Sequence, residues 1–384
     1  MRGAQQGDAG QSPGVTGLRA ARVVHRDKTV ALDGVTLLAE PGEVLVIVGP
    51  SGSGKSTVLR AVAGLTRLTS GQVLIEGRPT SASPQQRNVA MVFEDTQLMP
   101  FLTVARNMGF GLHARHTPEE EAARRVTEQA SRLRVRRLLH RLPNQISAGQ
   151  RGQVGIGRAL VMSPRAFLLD EPLAHVDAHE RMRMRRVIVE TVRGAGVSTL
   201  WVTHDQDEAL AVADRVALLR EGAVVQIDRP RHMYDHPADL YVADFLGSLP
   251  IGRLRATVVE SGGLAGFRLG ARVLPTWRPV PPELAGRVGQ DVVLGLRPEN
   301  LQIRTDDPDP RLVRLDALVR WVERWGSDTY ITAVYGDGNR LVARDSGRSG
   351  ARPGDLVPLL VDPAKSLVCA PEPPHRVLWS PHPT

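Results

Sequence analysis

The feature that most narrows the possible folds is short. The apolar run Val44 to Val48 gives way to Gly49-Pro50-Ser51-Gly52-Ser53-Gly54-Lys55-Ser56, and a helical pattern follows in which Val58, Leu59, Val62 and Leu65 share a face. This order predicts strand, loop and helix. The glycines let backbone N–H groups turn inward to form an anion nest, and the helix N-terminus adds its dipole, so the loop from Gly49 to Thr57 is suited to phosphate. Lys55 would bring a point charge to the outer phosphates, and the Ser56 hydroxyl suits Mg²⁺. Among 49 basic residues, lysine stands only at Lys28, Lys55 and Lys365. In so arginine-rich a chain, the lysine at position 55 is informative.

Further strand candidates are Val73 to Ile75, Phe167 to Leu169, Thr199 to Thr203, Val216 to Leu219 and Ala223 to Gln226, with helical segments between several of them. Such alternation predicts an α/β layered core. Between about residues 88 and 164 the pattern turns helical, with the charged stretch Glu119 to Arg137 and a second helix near Gly149 to Met162. This stretch is expected to be a helical insertion within the core. After about Phe245 short β-like runs take over, among them Arg253 to Val259, Val292 to Leu296 and Tyr330 to Tyr335. They predict a second, all-β domain, such as a small barrel. The expected division is a disordered tail over 1–17, a nucleotide-binding domain over 18–245 and a β domain over 246–384.

Asp170 and Glu171 follow the apolar run Phe167 to Leu169, which places both carboxylates at the C-terminal edge of a buried strand. Nucleotide sites of open α/β sheets lie at that edge. Asp170 suits the Mg²⁺ shell, while Glu171 can accept a proton from the attacking water or orient it. His204 ends the strand Thr199 to Thr203 and should reach the same edge, where it could hydrogen-bond the γ phosphate.

Bulk properties set wider limits. A net charge of +8 would suit an anionic partner, but charge bears on association rather than on fold. The single cysteine, Cys369, has no companion for a disulfide or a metal cluster, which predicts a reducing compartment. No uncharged apolar stretch approaches the ~20 residues needed to span a bilayer, so any membrane role is expected to be peripheral.

Taken with these motifs, Leu142-Pro143-Asn144-Gln145-Ile146-Ser147-Ala148-Gly149-Gln150 resembles the signature segment of ABC transporter nucleotide-binding subunits. Ala174-His175-Val176-Asp177 is similar to their D-loop, and Val202-Thr203-His204-Asp205-Gln206 to their switch-histidine motif. The resemblance implies an ATPase with a phosphate-loop NTPase core that forms a head-to-tail dimer, either with itself or with a paralogous subunit. Each ATP, with Mg²⁺, would lie between the phosphate loop of one copy and Ser147, Gly149 and Gln150 of the other, near Asp177. It further implies two integral membrane permease subunits, an extracytoplasmic solute-binding protein acting indirectly, and a place at the cytoplasmic face of the membrane. No nucleic-acid partner is expected.

Gly295-Leu296-Arg297-Pro298-Glu299-Asn300, Gly326-Ser327-Asp328 and Arg352-Pro353-Gly354-Asp355 resemble the OB-type regulatory domain of maltose and glycerol-phosphate importer ATPases. Polyamine, iron and sulfate importers carry similar domains.

The sequence departs from the family pattern at several positions. Glu94 stands where the lid loop normally carries glutamine. It keeps an oxygen for Mg²⁺ but crowds another carboxylate against Asp170 and Glu171, which predicts slower turnover. Ala148 replaces a glycine of the signature, and Gln153 replaces an arginine. Gly152, Gly155 and Gly157 weaken the following helix by ~1 kcal/mol each relative to alanine. No aromatic residue is available near His25-Arg26-Asp27 to stack on adenine, and Arg26 is expected to stack its guanidinium there instead. Two other classes fit parts of the pattern: an ATP-binding subunit that is slow or does not hydrolyse, and a nucleic-acid-associated ATPase. The second is disfavoured by an aromatic content of only 4%, too low for a base-stacking surface.

Overall fold

The structure is a computed structural model that describes residues 14–94, 98–174, 176–303, 309–345 and 349–381. Two compact units divide the chain, one ending at Pro230 and the other running from Arg231.

In the first unit the order is β1 (Gly14–Val24), β2 (Val30–Ala39), β3 (Val44–Val48), α1 (Lys55–Ala63), β4 (Ser70–Glu76), β5 (Arg78–Pro79), α2 (Pro84–Arg87) and β6 (Val89–Val92). There follow α3 (Val104–His113), α4 (Glu119–Arg132), α5 (Ala148–Leu160), β7 (Ala166–Asp170), α6 (Ala178–Ala195), β8 (Ser198–Val202), α7 (Gln206–Val212), β9 (Arg215–Arg220) and β10 (Ala223–Asp228). Six strands form one sheet in the order β10-β9-β3-β8-β7-β6, parallel throughout except at the β9–β10 edge. Every residue of β3, β7 and β8 is buried, as parallel strands covered on both faces require. A second, antiparallel sheet runs β2-β1-β4-β5. Val58, Leu59 and Val62 of α1 share one core with Leu18 and Leu37 of the antiparallel sheet and Ile47, Leu168 and Leu200 of the parallel one.

Register brings the site together. Ile47 pairs with Val202, and Asp170 with Val202, so β3, β7 and β8 end side by side. The Glu171 N–H donates to the Val202 carbonyl at 3.0 Å, and the Thr203 N–H to the Ile47 carbonyl at 3.3 Å.

The second unit contains α8 (Pro230–Asp235), α9 (Leu240–Leu246), β11 (Gly252–Ser261), β12 (Leu264–Leu269), β13 (Arg272–Pro279), α10 (Pro282–Ala285), β14 (Asp291–Leu296), β15 (Leu301–Gln302), β16 (Val313–Trp325), β17 (Asp328–Tyr335), β18 (Asn339–Asp345), β19 (Leu356–Val361), β20 (Leu367–Cys369) and β21 (Val377–Trp379). Its sheets, β13-β12-β11-β14-β20-β21 and β15-β19-β16-β17-β18, are antiparallel and share a core containing Val258, Phe267, Leu294, Leu315, Ile331 and Leu359. At the turn after β14, the Arg297 guanidinium lies 3.6 Å from the centroid of the Tyr234 ring, and the Tyr234 hydroxyl donates to Glu299. Cys369 is fully buried, and burial pushes its thiol up to about 12.

Three boundaries differ from the sequence expectation. Gly14 to Gly17 belong to β1 rather than to a tail: Gly17 serves close backbone approach, since a Cβ there would lie 1.9 Å from the Leu37 carbonyl oxygen, while a Cβ on Gly14 would meet the Pro41 ring at 2.5 Å. Val89–Val92 is the edge strand β6, so the helical insertion begins only at α3. Lastly, α9 packs its Leu240 and Ala243 against Ile251, Val293 and Leu367, which assigns residues 231–245 to the second unit.

Candidate functional site

The loop between β3 and α1 is shaped by positions that exclude side chains. A Cβ on Gly49 would meet the Leu219 carbonyl oxygen at 2.2 Å, and one on Gly54 would meet the Ala31 carbonyl oxygen at 2.5 Å. Gly52, at φ +78°, has open space around it, and Gly54, at φ +102°, caps α1 in left-handed backbone. Ser53 N–H donates to the Pro50 carbonyl at 3.2 Å, while the Ser53 hydroxyl is buried without a partner among the described residues. Ser51 is exposed at the loop's tip, and Thr57 lies in the first turn of α1. The Lys55 ammonium spans the loop from inside, donating to the carbonyls of Gly49 at 2.8 Å and Pro50 at 2.9 Å. Burial lowers its pKa, opposed by the carboxylates of Glu171 and Asp170.

The Ser56 hydroxyl donates to Asp170 Oδ1 at 3.2 Å. Burial raises the Asp170 pKa; the Ser56 bond and Arg60 oppose the shift, whereas Glu171 and Glu94 add to it. Residues 95–97, which follow Glu94, lie outside the described residues.

Glu171 and His204 meet directly. His204 Nδ1 is 2.6 Å from Glu171 Oε2, with the carboxylate mostly buried and the imidazole exposed. Glu171 has φ +46°, an unusual value for a side chain of this size and one that recurs at working sites. The bond through Nδ1 leaves Nε2 for another partner. Lys55, Ser56, Asp170, Glu171 and His204 thus form one constellation along the C-terminal edge of β3, β7 and β8.

Other expected residues are placed elsewhere. Ser147 caps α5: its Oγ accepts from the Gln150 N–H at 3.2 Å, and Gln150 Oε1 accepts from the Ser147 N–H at 3.0 Å. Gly149 lies in the first turn of that helix. Asp177 caps α6 by accepting from the Glu180 N–H at 3.0 Å; His175 lies outside the described residues. Arg26 is exposed in the tight turn between β1 and β2, where Asp27 accepts from the Thr29 N–H at 3.0 Å.

Sequence reasoning missed two supports. Arg60, one helical turn beyond Ser56, supplies positive charge toward Asp170. Between β8 and α7, Trp201 Nε1 donates to Glu208 Oε1 at 2.7 Å in the buried interior, and burial raises the Glu208 carboxyl to about 7. The buried indole at position 201 was the available signal, since such an N–H needs an acceptor.

A phosphate cradle, a buried carboxylate on its serine and a histidine on the neighbouring glutamate define an ATP-binding and hydrolysing cassette. The comparisons with known proteins agree. Residues 32–174 match the ABC transporter family and residues 294–368 the TOBE domain. The chain is 38% identical to the sn-glycerol-3-phosphate import ATP-binding protein UgpC 3 of Agrobacterium fabrum over 88% of its own length and 93% of the relative's. It is also 38% identical to the trehalose/maltose import ATP-binding protein MalK of Thermococcus litoralis, over 88% and 93% of the two chains. Among solved structures, a dimeric bacterial ABC transporter cassette superposes with a TM-score of 0.52 at 28% identity, covering 56% of this chain and 99% of that one. The chain belongs to the ATP-binding subunits of the ABC transporter family.

Proposed function

We propose that this subunit energises import of a carbohydrate or a glycerol-phosphate-type solute through separate permease subunits. The observation that carries the reading is coverage: relatives named for import of such solutes match across both units of the chain, at 38% identity over nearly their whole length. No described helix is long and apolar enough to cross a membrane, so the channel belongs to other chains in this reading. Leu65, Phe101 and Phe110, all exposed in the first unit, offer apolar surface for such a partner.

ATP would lie on the Gly49–Thr57 loop of one copy and against Ser147, Gly149 and Gln150 of a second, with Asp177 close by. The hard oxygen donors of Ser56 and Asp170, with Glu94 beside them, fit Mg²⁺. When bound, that ion would neutralise charge on the phosphates. Lys55 would exchange the Gly49 and Pro50 carbonyls for phosphate oxygens. Glu171 would orient the attacking water and accept its proton, held in place by His204, whose Nε2 would reach the γ phosphate. Arg26 would stack on the base.

The test is solute uptake in cells lacking this gene. Loss of glycerol phosphate or oligosaccharide uptake, restored by the native chain but not by Lys55→Ala, supports the reading; unchanged uptake of every such solute defeats it.

A further inference from the structure

The turn after α4 holds an arginine where the backbone favours glycine. Val135 N–H donates to the Ala130 carbonyl at 2.8 Å and Arg134 N–H to the Ser131 carbonyl at 3.1 Å, the hydrogen-bond pair of a Schellman turn. That turn fixes Arg134 at φ +58°, a left-handed conformation that glycine adopts without steric conflict. A long charged side chain at such a position raises the question of what the side chain meets.

The surroundings indicate what that work is. Arg134, Arg137 and Arg183 line a cavity of about 300 Å³ together with Ser147, Gln150 and two carboxylates, Asp177 and Glu180. Arg183 is neutralised by Glu180, its Nε lying 2.7 Å from Oε2. Neither Arg134 nor Arg137 has a carboxylate partner among the described residues. The capping box at the tip of α5 uses the Ser147 Oγ and Gln150 Oε1 atoms as acceptors, which leaves the Ser147 hydroxyl proton and the Gln150 NH₂ group to donate. Glu180 is taken up by Arg183 and Asp177 caps α6, so three guanidinium groups against two carboxylates leave the cavity net positive beside a helix N-terminus and a set of donors, a combination suited to an oxyanion.

We propose that Arg134 and Arg137 are positioning residues for the terminal phosphate of a nucleotide carried by a second copy of this chain. They would extend the anion contact of Ser147 with charge that the signature segment alone lacks. This inference rests on the head-to-tail arrangement proposed above. In that arrangement the arginines strengthen ATP-dependent pairing and contribute little to pairing without nucleotide.

The experiment uses the full-length chain carrying Glu171→Gln, so that ATP persists, and measures self-association by analytical ultracentrifugation with ATP and Mg²⁺, with ADP and Mg²⁺, and without nucleotide. Arg134→Gly and Arg137→Gln, each added to that background, should weaken ATP-dependent pairing about 10- to 100-fold, as loss of a charge-assisted hydrogen bond does. Arg134→Gly should also raise the melting temperature, because it relieves the left-handed strain. With Glu171 intact, both variants should raise the KM for ATP more than they lower kcat, and Arg137→Lys should recover part of the loss. Undiminished ATP-dependent pairing in a folded Arg134→Gly Arg137→Gln chain overturns the proposal. Equal weakening with ATP, with ADP and without nucleotide would assign the arginines to a partner carboxylate and also overturn it. Failure of the Glu171→Gln chain itself to pair with ATP would instead remove the head-to-tail reading, and this inference with it.

Discussion

At the scale of single residues, the site is organised by how carboxylates and one ammonium share a mostly buried sheet edge. Burial raises the Asp170 pKa and lowers that of Lys55, so desolvation works against the charged form of each and an opposite charge beside either is favoured. Glu94 adds to the load on Asp170. Glu94→Gln is therefore expected to increase ATP turnover several-fold, measured as phosphate release at saturating ATP and Mg²⁺. Glu208 allows a separate test by pH. Its folded pKa of about 7 lies above its ordinary 4.5, so the folded chain binds more protons than the unfolded chain between those values. The contribution is thus fully present below about pH 4.5 and is lost as pH rises through 7, by up to about 3 kcal/mol. Glu208→Gln should flatten this fall in stability, read as melting temperature between pH 5 and pH 8. The phosphate loop, Asp170, Glu171 and His204 were legible because strand ends and glycine spacing are local signals. Arg60 was not, because its role depends on tertiary neighbours that the local sequence does not specify, and Glu208 was signalled only indirectly, by the need of the Trp201 indole for an acceptor.

At the scale of elements, buried runs such as Val44–Val48 and Phe167–Leu169 announced their strands, since continuous apolar residues bounded by turns leave few alternatives. The strand β1 did not announce itself. Its Gly14 and Gly17 read as loop, yet Gly17 lies where only a hydrogen fits beneath the Leu37 carbonyl. Gly17→Ala is expected to cost about 3 kcal/mol in a denaturant melt, because the obstacle is backbone that cannot step aside. Gly157 carries a different lesson. It reads as a weak point in α5, but a Cβ there would meet Met108 Cε at 2.6 Å and Leu133 Cδ1 at 3.0 Å, so the glycine lets α5 approach its neighbours closely. Both obstacles are side-chain ends. Gly157→Ala should change stability by less than about 1 kcal/mol, since helix propensity gained offsets repacking.

At the scale of the whole molecule, two units of different class share one chain: a layered α/β cassette and an antiparallel β unit. Their classes were legible from the change in pattern along the sequence, but the border was not. The short helix α9 has the same helical spacing whichever unit it joins, and only its packing on Ile251, Val293 and Leu367 decides the matter. The cassette's chemistry depends on β3, β7 and β8 ending together, which in turn requires the parallel register that links Val202 to both Ile47 and Asp170. The most direct measurement is single-turnover conversion of ATP to ADP by the purified full-length chain with Mg²⁺, compared with its Glu171→Gln variant. The account predicts that the native chain forms ADP while the variant retains intact ATP and slows at least about 100-fold; equal rates in the two proteins, or no nucleotide retained by either, would contradict it.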